Sequence, residues 1–253
     1  VFNAFPYAHP APMGSNARMW RAWNKEQTYA APPTGDYPRS VPEPGGHTFG
    51  RFITVKEFAK SHPEYFSMDA DGKRMTDDQG EPSAWYQVCP SNEEVRRITL
   101  ERAKKFLREE LEAARSERRE PARYLALSQN DNTVNLCRCP PCKAISDREG
   151  SESGLLLDYV NHVARGLKEE FPGVLVLTEA YNFTIKPPRT IRPEPNVIIR
   201  YCDNYGLSDM TRPWTHPRKA ERLERLNGWR TITKQMAIWD YWRMFEEHPP
   251  GFF

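Results

Sequence analysis

The sequence predicts an α/β fold of the (β/α) barrel type, and three observations favour it. Short apolar runs typical of strands alternate with longer amphipathic stretches typical of helices, the pattern of parallel βαβ units. Several predicted strands end in polar or aromatic residues, and the carboxyl ends of parallel strands meet at one edge of a sheet. No glycine-rich phosphate-binding motif follows any predicted strand, which favours a barrel over a doubly wound sheet and predicts no nucleotide cofactor.

The composition argues against two classes of partner. The formal net charge is only +2, which does not indicate a nucleic-acid binder. No run of about 18 apolar residues occurs, so no membrane span is predicted, and the sequence contains no signal-peptide pattern. The abrupt ends, at Val1 and Phe253, indicate a piece of a longer protein. We expect one domain, with a proline- and aromatic-rich barrel segment over residues 1–50 and the main barrel part over residues 51–253.

The first 50 residues carry few periodic runs. Met19–Trp23 is predicted as a short helix and Ala30–Gly46 as a loop. The adjacent glycines at the end of this loop permit positive φ or a close backbone approach just before His47. His47 is therefore a candidate substrate-binding residue, and a turn histidine bonded to backbone is the alternative.

Capping residues and proline stops delimit the helices that follow. Thr54 and Ser91 open two capping boxes, and Ser153 is the predicted cap of a third helix. These helices are predicted to end near His62, Glu120 and Pro172, and a fourth covers about Arg218 to Leu226. The predicted strands are Tyr65–Met68, Tyr86–Cys89, Tyr124–Leu127, Val174–Leu177, Asn196–Tyr201 and Met236–Tyr241.

Polar and aromatic residues at the strand ends form the candidate site. The strand from Tyr124 is followed by Gln129–Asn132, and the next strand leads to Glu179 and Tyr181. The candidate substrate-binding residues beside His47 are Gln129, Asn132, Tyr181, Tyr201, Asp240 and Trp242. Tyr181, Tyr201 and Trp242 offer rings that stack on sugars, although packing is the favoured explanation for each of them taken alone. Asp240 either binds hydroxyl groups or anchors a loop.

Three of the five cysteines lie within six positions, at Cys137, Cys139 and Cys142. Their Cys-x-Cys-x-x-Cys spacing is a weak zinc signal because it lacks a clear fourth ligand, although Cys89 is near in some foldings. A structural zinc ion or a disulfide that rigidifies the site loop is favoured over a catalytic metal, so no catalytic cofactor is predicted.

An ordered set of motifs resembles glycoside hydrolase family 163, which was previously catalogued as a domain of unknown function. The resemblance covers roughly Gly45 to Tyr241. The motifs are His62–Phe66, Asp71–Arg74, Cys89–Val95, Ser128–Asp131, Cys137–Cys142, Ser153–Gly154, Asn161, Ala180–Tyr181 with Pro187–Pro188, Asn196–Val197 and Trp239–Tyr241. Each motif is weak alone, and the ordered set is specific.

The resemblance implies a (β/α)8 TIM barrel, incomplete in this chain because family members continue past the Trp239–Tyr241 strand. It also implies an endo-acting β-N-acetylglucosaminidase that releases glycans, in a secreted or periplasmic setting. A non-catalytic carbohydrate-binding barrel, or a glycosidase of other specificity such as uronic-acid-containing glycans, is the alternative.

A substrate-assisted mechanism fits this activity, because the acetamido oxygen of the substrate can attack the anomeric carbon while an enzyme acid protonates the leaving group. We expect Asp131 to be the acid/base or the acetamide-polarising carboxylate, with Asn130 or Glu179 as its partner. An Asx-type turn at Asn130 and Asp131 is the structural alternative. For Glu179 the alternative is a salt bridge to Lys186 or Arg200.

Overall fold

The computed structural model describes residues 2–4, 40–42, 46–74, 86–131, 136–202 and 215–240. The described strands form one parallel six-stranded sheet, and helices make up much of the remaining described chain. The strands are β1 (Phe2–Ala4), β2 (Ser40–Val41), β3 (Tyr124–Ala126), β4 (Leu175–Tyr181), β5 (Val197–Cys202) and β6 (Met236–Asp240). The helices are α1 (Phe49–Phe52), α2 (Val55–Phe58), α3 (Glu93–Ser116), α4 (Pro140–Glu149), α5 (Glu152–Leu167) and α6 (Ala220–Ile232). Short 3₁₀ helices cover Pro63–Tyr65, Asn182–Thr184 and Pro217–Lys219.

The spatial order of the strands is β1-β6-β5-β4-β3-β2, and every pair is parallel. From β2 to β6, each strand lies beside the strand that follows it along the chain. The first strand returns to pair with the last. The predicted α/β fold with a parallel sheet is therefore confirmed, and among the described residues β1 and β2 form the two edges of that sheet.

The central strand β4 is longer than the sequence predicts. The apolar run predicts Val174–Leu177, whereas the strand continues through Glu179 to Tyr181. It continues because β5 supplies a partner for every residue from Val176 to Tyr181, whose register partner is Cys202. The polar residues of the predicted strand end are consequently held in the ladder itself, a more rigid setting than a loop.

Several other predictions need correction. Ser40–Val41 pairs with β3 inside the predicted loop, and a strand of two residues is too short to leave a periodic signal. The predicted strands Tyr65–Met68 and Tyr86–Cys89 contribute only isolated antiparallel bridges, Phe66 to Val88 and Met68 to Arg74. Helix α4 begins within the cysteine motif, at Pro140, and was not predicted. The predicted helix Met19–Trp23 lies outside the described residues.

Two predicted helix caps are displaced by one or two residues. Asn92, not Ser91, caps α3, because its Oδ1 accepts from the backbone N–H groups of Glu94 and Val95 at 3.0 and 3.1 Å. Ser151 precedes α5, so the predicted cap Ser153 lies within the helix. There the buried Ser153 hydroxyl donates to the carbonyl of Lys186.

The core lies between the sheet and the long helices α3 and α5. Glycine permits their close packing: a Cβ at Gly166 of α5 would lie 2.5 Å from Leu100 of α3. Trp229 of α6 is 1% exposed, and its Nε1 donates to the carbonyl of Ile185 at 2.7 Å. None of the helices in the described ranges is long and apolar enough to cross a membrane.

Candidate active site at the strand ends

A short segment after β2 is bonded to the segment that leaves β3. The Thr48 hydroxyl donates to the carbonyl of Ala126 at 2.8 Å and accepts from the backbone N–H of Ser128 at 3.1 Å. The backbone N–H groups of Thr48 and Phe49 both donate to the Ser128 carbonyl, at 3.1 and 3.0 Å. We call these bonds between residues 46–50 and 126–130 the loop clamp. It fixes His47 beside the loop that carries Asp131.

His47 lies in the left-handed region, with φ of 52°. Its Nδ1 is 2.9 Å from the carbonyl oxygen of Gln129. Because a carbonyl only accepts, Nδ1 carries a hydrogen, and Nε2 is the atom left to exchange a proton. Nε2 lies 4.0 Å from Oδ1 of Asp131. The ring also packs against Tyr181, with centroids 5.7 Å apart.

Glu179 approaches the same imidazole from the interior. It is 4% exposed, and its Oε2 lies 3.5 Å from Nδ1 of His47. Its Oε1 forms a buried salt bridge with Arg200, its register partner on β5. Oε2 has no hydrogen-bond partner among the described residues. The predicted salt-bridge alternative is confirmed with Arg200 as the partner, yet one carboxylate oxygen remains directed at the histidine.

Asp131 differs from Glu179 in its exposure. Its side chain is 54% exposed, whereas that of Glu179 is 5% exposed. One carboxylate is therefore accessible and the other buried, and His47 lies between them. We call His47, Asp131 and Glu179 the strand-end site.

Asn130 serves to hold the loop. Its Nδ2 donates to the carbonyl of Tyr86, and its Oδ1 accepts from the N–H of Gly50 at 3.1 Å. Its backbone N–H and carbonyl are both bonded to the side-chain amide of Gln87, at 2.9 and 2.7 Å. These bonds support the loop-shaping alternative for Asn130, although they reach distant segments and do not form an Asx turn.

Two more predicted binding residues are buried around the site. Gln129 has no exposed surface, and its Nε2 donates to Oγ1 of Thr184 at 2.7 Å. Tyr201 also has no exposed surface, and its hydroxyl donates to the carbonyl of Arg222 on α6 at 3.2 Å. Tyr201 thus packs between the sheet and a helix, which leaves it no face for a sugar. Tyr181, 9% exposed, remains beside His47.

For three predicted site residues, the side chain is not among those that the structure describes. Asn132 and Trp242 lie outside the described residues. Asp240 is the last residue of β6, where its register partner is Ala4, and only its backbone is described.

Sequence reasoning missed one contributor to the site, Gln87, and named another, Arg200, only as an alternative salt-bridge partner of Glu179. Arg200 neutralises the buried Glu179, and its guanidinium also lies over the ring of Trp239, 4.8 Å from the centroid. Gln87 holds the backbone of Asn130 through both of its amide atoms. The charge of Arg200 in an apolar strand was a usable signal, whereas nothing in the sequence around Gln87 indicates a contact 43 residues away.

The cysteine cluster has a fourth member. Cys89 joins Cys137, Cys139 and Cys142, and the four Sγ atoms lie within 4.8 Å of one another. All four are free thiols in this structure, so the predicted disulfide is not formed. Cys89 therefore supplies the fourth sulfur that the Cys-x-Cys-x-x-Cys spacing lacks as a zinc signal.

The fold and site together define an α/β protein with a parallel sheet whose strand ends bring a histidine and two carboxylates together. Such a group can move a proton to or from a ligand oxygen, because Asp131 is accessible and His47 faces it. The chain belongs to the family described as Domain of unknown function (DUF4838), whose model matches residues 12–252. No curated protein shows a significant match to the chain.

Proposed function

We propose that the chain carries the active site of a glycoside hydrolase that acts on N-acetylglucosamine-containing glycans by a substrate-assisted mechanism. The observation that carries the proposal is the strand-end site, with an exposed and a buried carboxylate on either side of one imidazole. The motif resemblance to glycoside hydrolase family 163 supports the substrate class. That resemblance includes the segment Ser128–Asp131, which positions the exposed carboxylate.

The same proposal makes the sheet part of a (β/α)8 barrel. The consecutive order from β2 to β6 supports it, because a doubly wound sheet reverses direction at a switch point and this sheet does not. The return of β1 to β6 supports it further, since a barrel joins its first strand to its last. The site then lies at the carboxyl-terminal face, where barrel enzymes place their chemistry.

Asp131 is the proposed acid/base. Its carboxyl protonates the glycosidic oxygen as the substrate's acetamido oxygen attacks the anomeric carbon, so the leaving sugar departs with that proton. The ionised Asp131 then takes a proton from the water that opens the cyclised intermediate, which restores the acid. The 4.0 Å separation between Nε2 of His47 and Oδ1 of Asp131 is one that a bound oxygen atom can bridge.

His47 and Glu179 support this step. The hydrogen on Nδ1 is directed to Gln129, so the lone pair of Nε2 faces Asp131 and can accept a hydrogen bond that originates at its carboxyl, through a bound oxygen atom. Glu179 is a positioning residue: its buried Oε2 lies 3.5 Å from Nδ1 of the imidazole, and its salt bridge with Arg200 fixes the carboxylate in that place. The amide of Asn130, engaged with Tyr86 and Gly50, has no chemical step in this mechanism.

Asp131→Asn tests the acid role. We expect kcat/KM on an N-acetylglucosamine-containing oligosaccharide to fall about 10²–10⁴-fold, the usual contribution of a general acid. An aryl glycoside with an acidic phenol as leaving group needs little protonation, so its cleavage step should be slowed much less. Chromatographic assay of both substrates gives the comparison.

The matched control is Asp147→Asn, which neutralises an exposed aspartate of α4 that pairs with Lys143. It should leave both rates near those of the unmodified protein. Near-normal cleavage of the oligosaccharide by Asp131→Asn contradicts the assignment. Tight binding of a thiazoline inhibitor by the unmodified protein without turnover of any substrate contradicts the hydrolase and favours a non-catalytic glycan-binding barrel.

A further inference from the structure

Four buried cysteine sulfurs form a compact cage beneath the site loop. The Sγ atom of Cys89 lies 3.6 Å from that of Cys139, 3.7 Å from that of Cys137 and 3.8 Å from that of Cys142. Four sulfurs at 2.3 Å from one zinc ion in tetrahedral geometry are separated by about 3.8 Å. The cage therefore has the size that a single tetrahedral ion requires. A disulfide is far shorter, at about 2.05 Å.

Donors around the cage are aimed at sulfur. The backbone N–H of Met68 donates to Sγ of Cys137 at 3.3 Å, and Nη1 of Arg74 lies 4.0 Å from the same atom. The Ser91 hydroxyl lies 3.0 Å from Sγ of Cys142. Such N–H and O–H groups stabilise thiolates, and the Arg74 charge offsets the negative charge that four thiolates leave around a divalent ion. This surrounding shell is an observation independent of the sulfur spacing.

We propose that Cys89, Cys137, Cys139 and Cys142 bind one structural zinc ion. All four ligands are protein thiolates, so no coordination position is left for a substrate or water, which separates this site from a catalytic zinc. The inference does not depend on the proposed glycosidase activity, because it rests on the sulfur geometry and on the donors around the cage.

The ion would join two segments that are distant in sequence. Cys89 lies just before α3, and the other three ligands lead into and begin α4. Gln87, two residues before Cys89, holds the backbone of Asn130 at 2.7 and 2.9 Å. The metal thus braces, through Gln87, the loop that presents Asp131.

The test begins with the purified full chain under reducing conditions. Elemental analysis should give about one zinc per chain, and X-ray absorption should give four sulfur neighbours at about 2.3 Å. Exchange of zinc for Co²⁺ should produce intense thiolate charge-transfer bands together with the visible bands of a tetrahedral ion. These spectra require no catalytic activity.

Matched variants locate the ion. Cys89→Ser and Cys142→Ser should each lose most of the bound zinc, whereas Cys202→Ser, which alters a buried thiol of β5 outside the cage, should retain it. If a cage variant fails to fold, the Co²⁺ spectrum of the unmodified chain still shows whether four thiolates bind one tetrahedral ion. A metal-free protein with four titratable cage thiols and no Co²⁺ bands overturns the proposal. A disulfide within the cage, or iron in place of zinc, overturns it as well.

Discussion

At the scale of the single residue, His47 combines an uncommon backbone conformation with a proposed role in the reaction. A φ of 52° is a left-handed conformation that costs most L residues about 1–2 kcal/mol, and histidine, asparagine and aspartate are the side chains found there most often. The loop clamp at Thr48 and the bond from Nδ1 to Gln129 hold the residue in this conformation. The strain is thus located where the proposed hydrogen-bond acceptor faces Asp131.

The variants His47→Asn and His47→Ala separate the conformational role of His47 from its proposed role in the reaction. Both variants remove Nε2, so both should lower kcat strongly on the oligosaccharide substrate. Asparagine tolerates left-handed φ, so His47→Asn should retain more stability than His47→Ala, by up to about 1–2 kcal/mol. Urea unfolding gives the stabilities. Equal destabilisation by the two variants is the result that contradicts a conformational role.

Individual site residues differ in how far sequence could predict them. Asp131 and Glu179 follow from their position after apolar runs, and His47 follows from the glycines before it. The contacts through which Asn130 holds the loop could not be predicted, because they reach Gly50 and Tyr86, which are 80 and 44 residues away. Cysteine spacing alone could not identify Cys89 as a fourth ligand for the same reason.

At the scale of the element, Glu149 joins the end of α4 to a distant loop. It has no exposed surface and accepts from the N–H and hydroxyl of Thr190, at 2.8 and 2.6 Å, and from the N–H of Ile191 at 3.0 Å. Burial raises the pKa of this carboxyl, but the hydrogen bonds from Thr190 and Ile191 outweigh burial and lower the pKa to about 2. Helix α5 packs closely against the Glu149 side chain at Gly154. A side chain at that position would not fit, because its Cβ would lie 2.3 Å from Cβ of Glu149.

Glu149→Gln should therefore destabilise the protein in a pH-dependent way. The folded pKa is below the unfolded value of about 4.3, so the carboxylate contributes stability above pH 4.3, and this contribution is lost as pH falls towards 2. At pH 7 we expect the variant to lose about 1–3 kcal/mol of unfolding free energy, the cost of hydrogen bonds to a buried charge.

Urea unfolding at pH 7 and at pH 3 measures this difference. The gap between Glu149→Gln and the unmodified chain should be smaller at pH 3. Glu112→Gln, at an exposed position of α3, is the control and should change stability little at either pH. A gap that is the same at both pH values contradicts the carboxylate role.

At the scale of the whole molecule, the strand–helix alternation was enough to predict the parallel α/β sheet. The apolar runs that form β4 and β5 are buried on both faces, and this burial is what makes them recognisable in the sequence. The edge strand Ser40–Val41 could not be predicted, since its two residues pair only because β3 lies beside them. The isolated bridge at Phe66 was overpredicted as a strand because an apolar pair resembles a short strand locally.

The loop clamp also has a consequence for the order of assembly. Its side-chain bonds connect residues 78 and 80 positions apart, whereas the salt bridge across β4 and β5 spans 21. Closing a longer loop costs more chain entropy, and contacts between distant residues slow folding. We expect the β4–β5 ladder to form first and the clamp, with the strand-end site, to form later.

Pulse-labelled hydrogen exchange during refolding can follow this order. The N–H groups of Thr48 and Phe49, which donate to Ser128, should become protected after the N–H of Val176, which donates from β4 to the carbonyl of Asn196 at the start of β5. Simultaneous protection of both groups contradicts the expectation. With the expected order, a partly folded chain has a formed central sheet before it has a place to bind a ligand.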